Sequence, residues 1–177
     1  KMINGERWIE KPCDLTVVKM KNYNHNKGYS LPVKPSPNLP NTKSINLYPS
    51  LCLFEGTNIS IGRGTEYPFQ QYGAPYLEDS YSFIPKSREG SKYPKYENIE
   101  CFGNDLRFND QYLTSIYLDW IIDCYNRCPK KEKFFNNFFD KLAGTKKLRK
   151  QIINGDSTTK IKNSWRSDIE KFKLIRE

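Results

Sequence analysis

The stretch Ile99-Glu-Cys-Phe-Gly-Asn-Asp-Leu-Arg-Phe108, followed by Leu113-Thr-Ser-Ile-Tyr-Leu-Asp-Trp-Ile-Ile-Asp-Cys124, decides the fold. The first segment reads as a strand. In the second the period changes: Leu113, Ile116, Tyr117, Trp120, Ile121 and Cys124 recur at the spacing of one helix face, and Pro129 ends it. Upstream, Tyr67 to Tyr72 and Tyr81 to Ile84 read as strands separated by Gly73-Ala74-Pro75. A basic loop from Pro85 to Pro94 leads on to the third strand. Downstream, Lys131 to Leu142 reads as a helix that buries Phe134, Phe135, Phe138 and Phe139 and stops at Gly144. Short helices are expected over Lys146 to Ile153 and Thr158 to Trp165. A last one starts at Ser167-Asp168-Ile169-Glu170, which has capping-box spacing. Strands first and helices later predict an α+β domain, with a mixed or antiparallel sheet and a C-terminal cluster of helices.

Ahead of these elements the first ten residues suit the end of a helix, with Ile3, Trp8 and Ile9 as apolar anchors. The opening Lys1-Met2-Ile3-Asn4-Gly5-Glu6 reads as the inside of a helix, so the chain is expected to be a piece of a longer protein. Leu15 to Met20 is a β-branched run and reads as a strand. Lys21 to Pro40 carries prolines at 32, 35, 37 and 40 and is expected to be extended and stiff, an ordered wall packed through Tyr23, Tyr29, Leu31 and Leu39. Ile45 to Tyr48 reads as a short strand, and Pro49 to Phe54 as a turn or short helix.

With 177 residues the chain is long enough for one domain with a substantial core. Hydrophobic residues make up only 37%, but a 14% aromatic share offsets this, because each buried ring removes a large area from water. No run of 18 apolar residues occurs, so no transmembrane segment is expected. The net charge of +9 is concentrated in residues 129–177, where 14 Lys and Arg face 6 Asp and Glu. Such a region suits an anionic partner. The basic residues are spread around the helices rather than gathered in one block, so solvated helix faces are the preferred reading and no nucleic acid is expected. Five cysteines without CxxC spacing argue against zinc and read as free thiols packed as small apolar groups. No metal-ligand cluster and no phosphate-binding glycine spacing appear, so no cofactor is expected. His25, the only histidine, lies among asparagines and reads as an exposed loop residue.

Chemistry concentrates in Glu55-Gly-Thr-Asn-Ile-Ser-Ile-Gly-Arg-Gly-Thr65, directly after the apolar run Leu51 to Phe54. It packs a carboxylate, an amide, three hydroxyls and a guanidinium among three glycines. Glycine lets a backbone take positive φ or approach a ligand closely. The side chains supply an acid or base, hydrogen-bonding groups and a fork for anions.

These residues resemble the C-terminal part of the NamZ-type exo-β-N-acetylmuramidase family, long described as a domain of unknown function. The matching elements are Pro35-Ser36-Pro37-Asn38-Leu39-Pro40, Tyr48-Pro49-Ser50-Leu51-Cys52-Leu53-Phe54 and Glu55 through Thr65. Further on come Pro68-Phe69, Gly73-Ala74-Pro75, Cys101-Phe102-Gly103 and Phe139-Asp140-Lys141-Leu142-Ala143-Gly144. The resemblance implies a glycoside hydrolase that releases terminal N-acetylmuramic acid from peptidoglycan fragments. It further implies a periplasmic or secreted location and a site in the cleft between this part and an N-terminal Rossmann-like domain. Residues 1–10 would be the end of that domain and residues 11–177 the C-terminal α+β domain.

Glycosidases generally use two carboxyl groups, about 5 to 5.5 Å apart for retention and about 6.5 to 9.5 Å for inversion. Glu55 is the catalytic candidate, since partial burial where an apolar run meets a glycine loop would suit it to proton donation. It would otherwise hold the loop in shape. No second carboxylate here is an obvious partner, so the fragment alone is expected to be inactive. Arg63 suits the lactyl carboxylate of muramic acid, or alternatively an internal ion pair with Glu55 or Glu66. Asn58 would hold the acetamido group or cap a turn, and Thr57, Ser60 and Thr65 share that ambiguity. Asn38 would line the cleft wall or form an Asx turn. Tyr48, Tyr72 and Tyr76 are candidates to stack on sugars, or else are core. The competing functions are a non-catalytic peptidoglycan- or carbohydrate-binding module and, less favoured, a basic nucleic-acid-binding domain.

Overall fold

A computed structural model of the chain, describing every residue except His25, Asn109, Gln111 and Glu177, opens on a one-turn α1 (Met2–Gly5) and a ten-residue α2 (Thr42–Leu51). The expected strand over Ile45 to Tyr48 therefore lies inside a helix. The cause is local: Asn41 Oδ1 accepts from Ser44 N at 2.9 Å, and Ser44 Oγ accepts from Asn41 N at 3.3 Å, a reciprocal cap. Leu47 and Leu51, one turn apart, are fully buried on the same face. Pro49 removes one N–H from the ladder, and the helix continues as a 3-10 turn over Cys52–Gly56. Asn41→Ala is expected to cost about 1 kcal/mol in chemical denaturation. A change within ~0.3 kcal/mol would mean that tertiary packing alone holds α2.

The sheet has three antiparallel strands, β1 (Gln71–Ala74), β2 (Tyr81–Phe83) and β3 (Cys101–Asp105), in the order β1-β3-β2. Gly73 of β1 and Tyr81 of β2 both face Gly103 of β3. The first expected strand starts later than its aromatic residues suggest, because Gln70 N bonds Tyr67 O at 3.1 Å and closes a turn there. Gly73 and Ala74 belong to the strand rather than to a separator.

Five further helices follow: α3 (Asp119–Arg127), α4 (Phe139–Ala143), α5 (Lys147–Ile153), α6 (Thr158–Asn163) and α7 (Arg166–Arg176). The domain is α+β with a C-terminal helix cluster. Two helix expectations fail in part, for the same reason. Residues 113–117 run non-helically because their backbone bonds go to side chains of α2. Asn46 Nδ2 donates to Leu113 O and its Oδ1 accepts from Leu113 N, both at 2.9 Å, while Ser50 Oγ accepts from Tyr117 N at 2.9 Å. The expected helix over Lys131 to Leu142 breaks into a 3-10 turn at Lys131–Lys133 and the short α4. Between them, Phe134 O accepts from Asn58 N and Asn136 N donates to Gly56 O, each at 2.9 Å. A backbone already bonded to another segment cannot also close helical turns.

Residues Ser30–Thr158 form one compact unit that carries the sheet and α2 to α5. Its core joins both layers: Phe54 stacks on Tyr72 at 5.3 Å between ring centres, and Tyr72 meets Trp120 at 6.0 Å. Phe54, Phe69, Phe134 and Phe139 are at most 1% exposed. Lys1–Tyr29 and Thr159–Glu177 form the second unit. There the expected strand over residues 15–20 is absent. Among the described residues no segment pairs with it, and Val18 is 88% exposed, so water satisfies its backbone. The described residues of 21–40 lack helix and strand as expected, but Tyr23, Tyr29 and Leu31 are exposed, as are Ile3, Trp8 and Ile9. Among the described residues no helix is long and apolar enough to cross a membrane. The reading of His25 lies outside the described residues.

Candidate functional site

The loop after the 3-10 turn is held on both edges. Residues 56–58 pair with 134–136 through an isolated bridge between Thr57 and Phe135. Ser60 pairs with Gly73 of β1 through two backbone bonds of 2.8 and 2.9 Å. Side chains from one distant segment tie the middle: Lys95 Nζ donates to the carbonyls of Thr57 and of Ile59, the latter at 2.9 Å, and the Tyr96 hydroxyl donates to Asn58 O at 2.7 Å. The loop is therefore a rigid platform.

Its glycines serve packing. A Cβ on Gly56 would lie 2.4 Å from Phe139 Cα, so α4 rests directly on that backbone. Gly62 and Gly64 have φ of +73° and +82° and turn the chain back toward β1. The close approach inferred from the sequence is real, but it is to the protein itself.

Three of the seven candidate residues share a cavity. Glu55, Ser60 and Arg63 line a space of about 220 Å³ together with Tyr93 and Lys95. Arg63 Nη2 donates to Glu55 Oε2 at 3.0 Å, so the ion-pair alternative for Arg63 is realised with Glu55. The guanidinium carbon sits 5.3 Å from the centre of the Phe69 ring, and Arg63 Nε is buried without a hydrogen-bond partner. Tyr48 packs on Phe69 at 5.0 Å and stays 39% exposed. It comes from the same face of α2 and its 3-10 extension as Glu55, seven residues on.

Two candidates are committed to internal hydrogen bonds. Thr57 is buried, its hydroxyl donating to Phe54 O at 2.8 Å and accepting from Ile59 N at 3.1 Å. Asn58 Oδ1 accepts from the Tyr76 hydroxyl at 2.7 Å and its Nδ2 meets Cys128 Sγ at 3.6 Å, so this amide is committed internally. Thr65 and Asn38 line a different, larger cavity of about 620 Å³. Thr65 Oγ1 donates to Gly62 O and accepts from Gln71 Nε2, both at 2.7 Å. Asn38 Nδ2 donates to Gly90 O at 2.9 Å, and its backbone N donates to Ser36 Oγ at 3.2 Å. Tyr72 is core, and the Tyr76 hydroxyl is spent on Asn58, which leaves Tyr48 as the exposed one of the three.

Lys95 and Tyr93 were not legible as site residues. They come from the loop before β3, more than thirty positions from Glu55, and only their alternation in Tyr93-Pro94-Lys95-Tyr96 marks them. Tyr93 is 90% exposed at the cavity rim. Burial pushes the Lys95 ammonium down to about 8, against which the charge of Glu55 pulls it back up. The other well-placed carboxylates are taken by arginines elsewhere: Glu66 by Arg88, Asp79 by Arg127, Asp105 by Arg107 and Asp140 by Arg149. Among the described residues, Glu55 is the sole carboxylate lining this cavity.

Residues 46–177 match the family described as "Exo-beta-N-acetylmuramidase NamZ, C-terminal", and residues 1–43 match "Exo-beta-N-acetylmuramidase NamZ, N-terminal". The peptidoglycan beta-N-acetylmuramidase NamZ of Bacillus subtilis is 33% identical over 191 aligned residues, covering 93% of this chain and 45% of that protein. A crystal structure of a DUF1343 family protein from Bacteroides fragilis is similar with a TM-score of 0.93 and 46% identity, covering 99% of this chain and 51% of the other. A second DUF1343 protein from the same organism gives a TM-score of 0.75 at 21% identity, with 98% and 52% covered, a likeness of fold. The chain spans about half the length of these relatives.

Proposed function

The chain belongs to the NamZ exo-β-N-acetylmuramidase family, and from that premise we propose that it forms one wall of a glycosidase site that takes a terminal N-acetylmuramic acid of peptidoglycan fragments. The observation that carries this reading is the cavity in which one carboxylate, Glu55, lies beside the guanidinium of Arg63, with the ammonium of Lys95 on the same wall. A neutral sugar needs no cations. The lactyl group of muramic acid carries a carboxylate, which an arginine fork matches.

Glu55 acts here as acid, base or orienting group. Arg63 holds its Oε2, while Oε1 accepts no hydrogen bond among the described residues and is left for a ligand hydroxyl or water. Hydrolysis calls for a second carboxyl group, and we assign it to the Rossmann-like N-terminal domain of the same protein, whose cleft face would close the site. On this reading the chain by itself binds and does not turn over, and its place of action is the cell envelope, where the polymer lies.

Arg63→Lys tests the assignment in the full-length protein. An ammonium keeps the charge and loses the bidentate fork. KM for a chromogenic N-acetylmuramic acid glycoside is expected to rise about tenfold or more, as for a lost hydrogen bond between charged groups. The N-acetylglucosamine glycoside, which lacks the lactyl carboxylate, should show no such rise. Equal changes for the two sugars would confine Arg63 to bracing Glu55. Muropeptide binding without turnover by the wild-type full-length protein would favour a binding module instead.

A further inference from the structure

The cavity holds two cations, yet the ion pair with Glu55 accounts for only one of them. Lys95 is largely buried and makes no salt bridge among the described residues. Its ammonium has three N–H donors. Two of them go to the carbonyls of Thr57 and Ile59, and no third acceptor lies within hydrogen-bonding distance among the described residues. A lysine needed only to staple the loop would not have to carry a charge, since a neutral donor would serve without the cost of burying an ammonium. Its position on the wall shared with Arg63 and Ser60 gives that charge a use.

We propose that Lys95 is a second anchor for the substrate's carboxylate, donating its remaining N–H to the anionic group that Arg63 engages. The assignment rests on the reading of this cavity as the muramic acid site. It makes Lys95 a substrate-binding residue selective for the acidic sugar over its neutral analogues. The charged and titratable groups facing it are Glu55 from the 3-10 turn, Arg63 from the loop beyond it, and Tyr93 and Tyr96 from its own segment.

A pH dependence follows, with a fixed sign. Burial holds the free ammonium near a pKa of about 8. Below that value Lys95 is charged and ready for an anion. Above it, binding a carboxylate must first take up a proton, so affinity falls by a limiting factor of about ten per pH unit. A bound carboxylate also raises the ammonium's pKa, so binding above pH 8 draws protons from the buffer.

Calorimetric titration of the full-length protein with free N-acetylmuramic acid across this range tests the inference, with its lactyl carboxamide as the neutral probe. The acid is expected to bind with constant affinity up to neutrality and to weaken above pH 8, with buffer-dependent heats that report proton uptake. The carboxamide should bind more weakly and without the break. Lys95→Arg keeps the donors and a charge that does not titrate, so the break should vanish while binding of the acid persists. A break that survives in Lys95→Arg, or one of equal size with the carboxamide, would overturn the inference alone. So would wild-type binding of the acid that is flat through pH 9. No binding of N-acetylmuramic acid by the wild type at any pH would overturn the reading of the site, and this inference with it.

Discussion

Replacing Glu55 with Gln in the full-length protein is expected to lower kcat for release of N-acetylmuramic acid by about 10²- to 10⁴-fold, the usual contribution of a positioned acid or base. The substitution keeps the side chain's size and an oxygen that can still accept from Arg63, so the cavity should retain its shape. Stability should change little. The Glu55–Arg63 pair is 25% and 36% exposed at its two side chains, and a pair screened to that extent contributes on the order of 1 kcal/mol or less. Steady-state turnover measured beside a thermal melt separates chemistry from folding. A variant that melts like the wild type and turns over like it would reduce Glu55 to a brace for Arg63, and the catalytic carboxyl groups would then both lie outside this chain.

The second large effect is expected one residue on, at Gly56→Ala, and it is one of folding. The added methyl would meet Phe139 Cα at 2.4 Å and Phe139 N at 2.7 Å. Backbone atoms cannot rotate out of the way as a side chain can, so α4 would have to move off the 3-10 turn. Phe139 is fully buried, and Asn136 N is bonded to Gly56 O, so that movement opens the core and strains the bridge at Thr57. Overpacking of this kind costs about 3 kcal/mol, or a melting temperature lower by roughly 6 to 12 °C for a chain of this size. Gly5→Ala is the control, because nothing lies within 4 Å of a Cβ there, and its effect should stay within about 0.5 kcal/mol. A Gly56→Ala protein as stable as the control would mean that α4 shifts without penalty, and that Gly56 is kept for a ligand after all.

Those two neighbours show how the sequence could be read and where it misled. Glu55 and Arg63 were legible because their chemistry is unusual within eleven residues, and the structure brings them to 3.0 Å. Gly56 was legible as a constrained position, but its partner was not, since Phe139 lies more than eighty residues away. A shorter separation, more than thirty residues, was enough to hide Lys95. Nothing near a single lysine in a basic loop signals that its ammonium reaches the carbonyls of Thr57 and Ile59. Thr57, Asn58 and Ser60 looked identical in kind, and only the fold commits the side chains of the first two to internal hydrogen bonds and sets the third, itself buried, against the cavity.

The elements that could be read from residue order alone are those governed by short-range physics. Periodicity and turn residues located β2 and β3, α5, α6 and α7, and with them the segregation of the sheet from the C-terminal helices that makes the domain α+β. Capping chemistry at Asn41 and Ser44 was also present in the sequence, although the β-branched look of Ile45 obscured it. Long-range contacts set the segments whose backbone bonds leave their own element. Residues 113–117 give up helix to the side chains of Asn46 and Ser50, and residues 134–136 give it up to the loop at Gly56 and Asn58. Each backbone N–H and C=O must find a partner once buried, and local periodicity cannot tell whether that partner is four residues away or seventy. The site's second cation was settled the same way, by a contact that exists only after the chain has closed on itself.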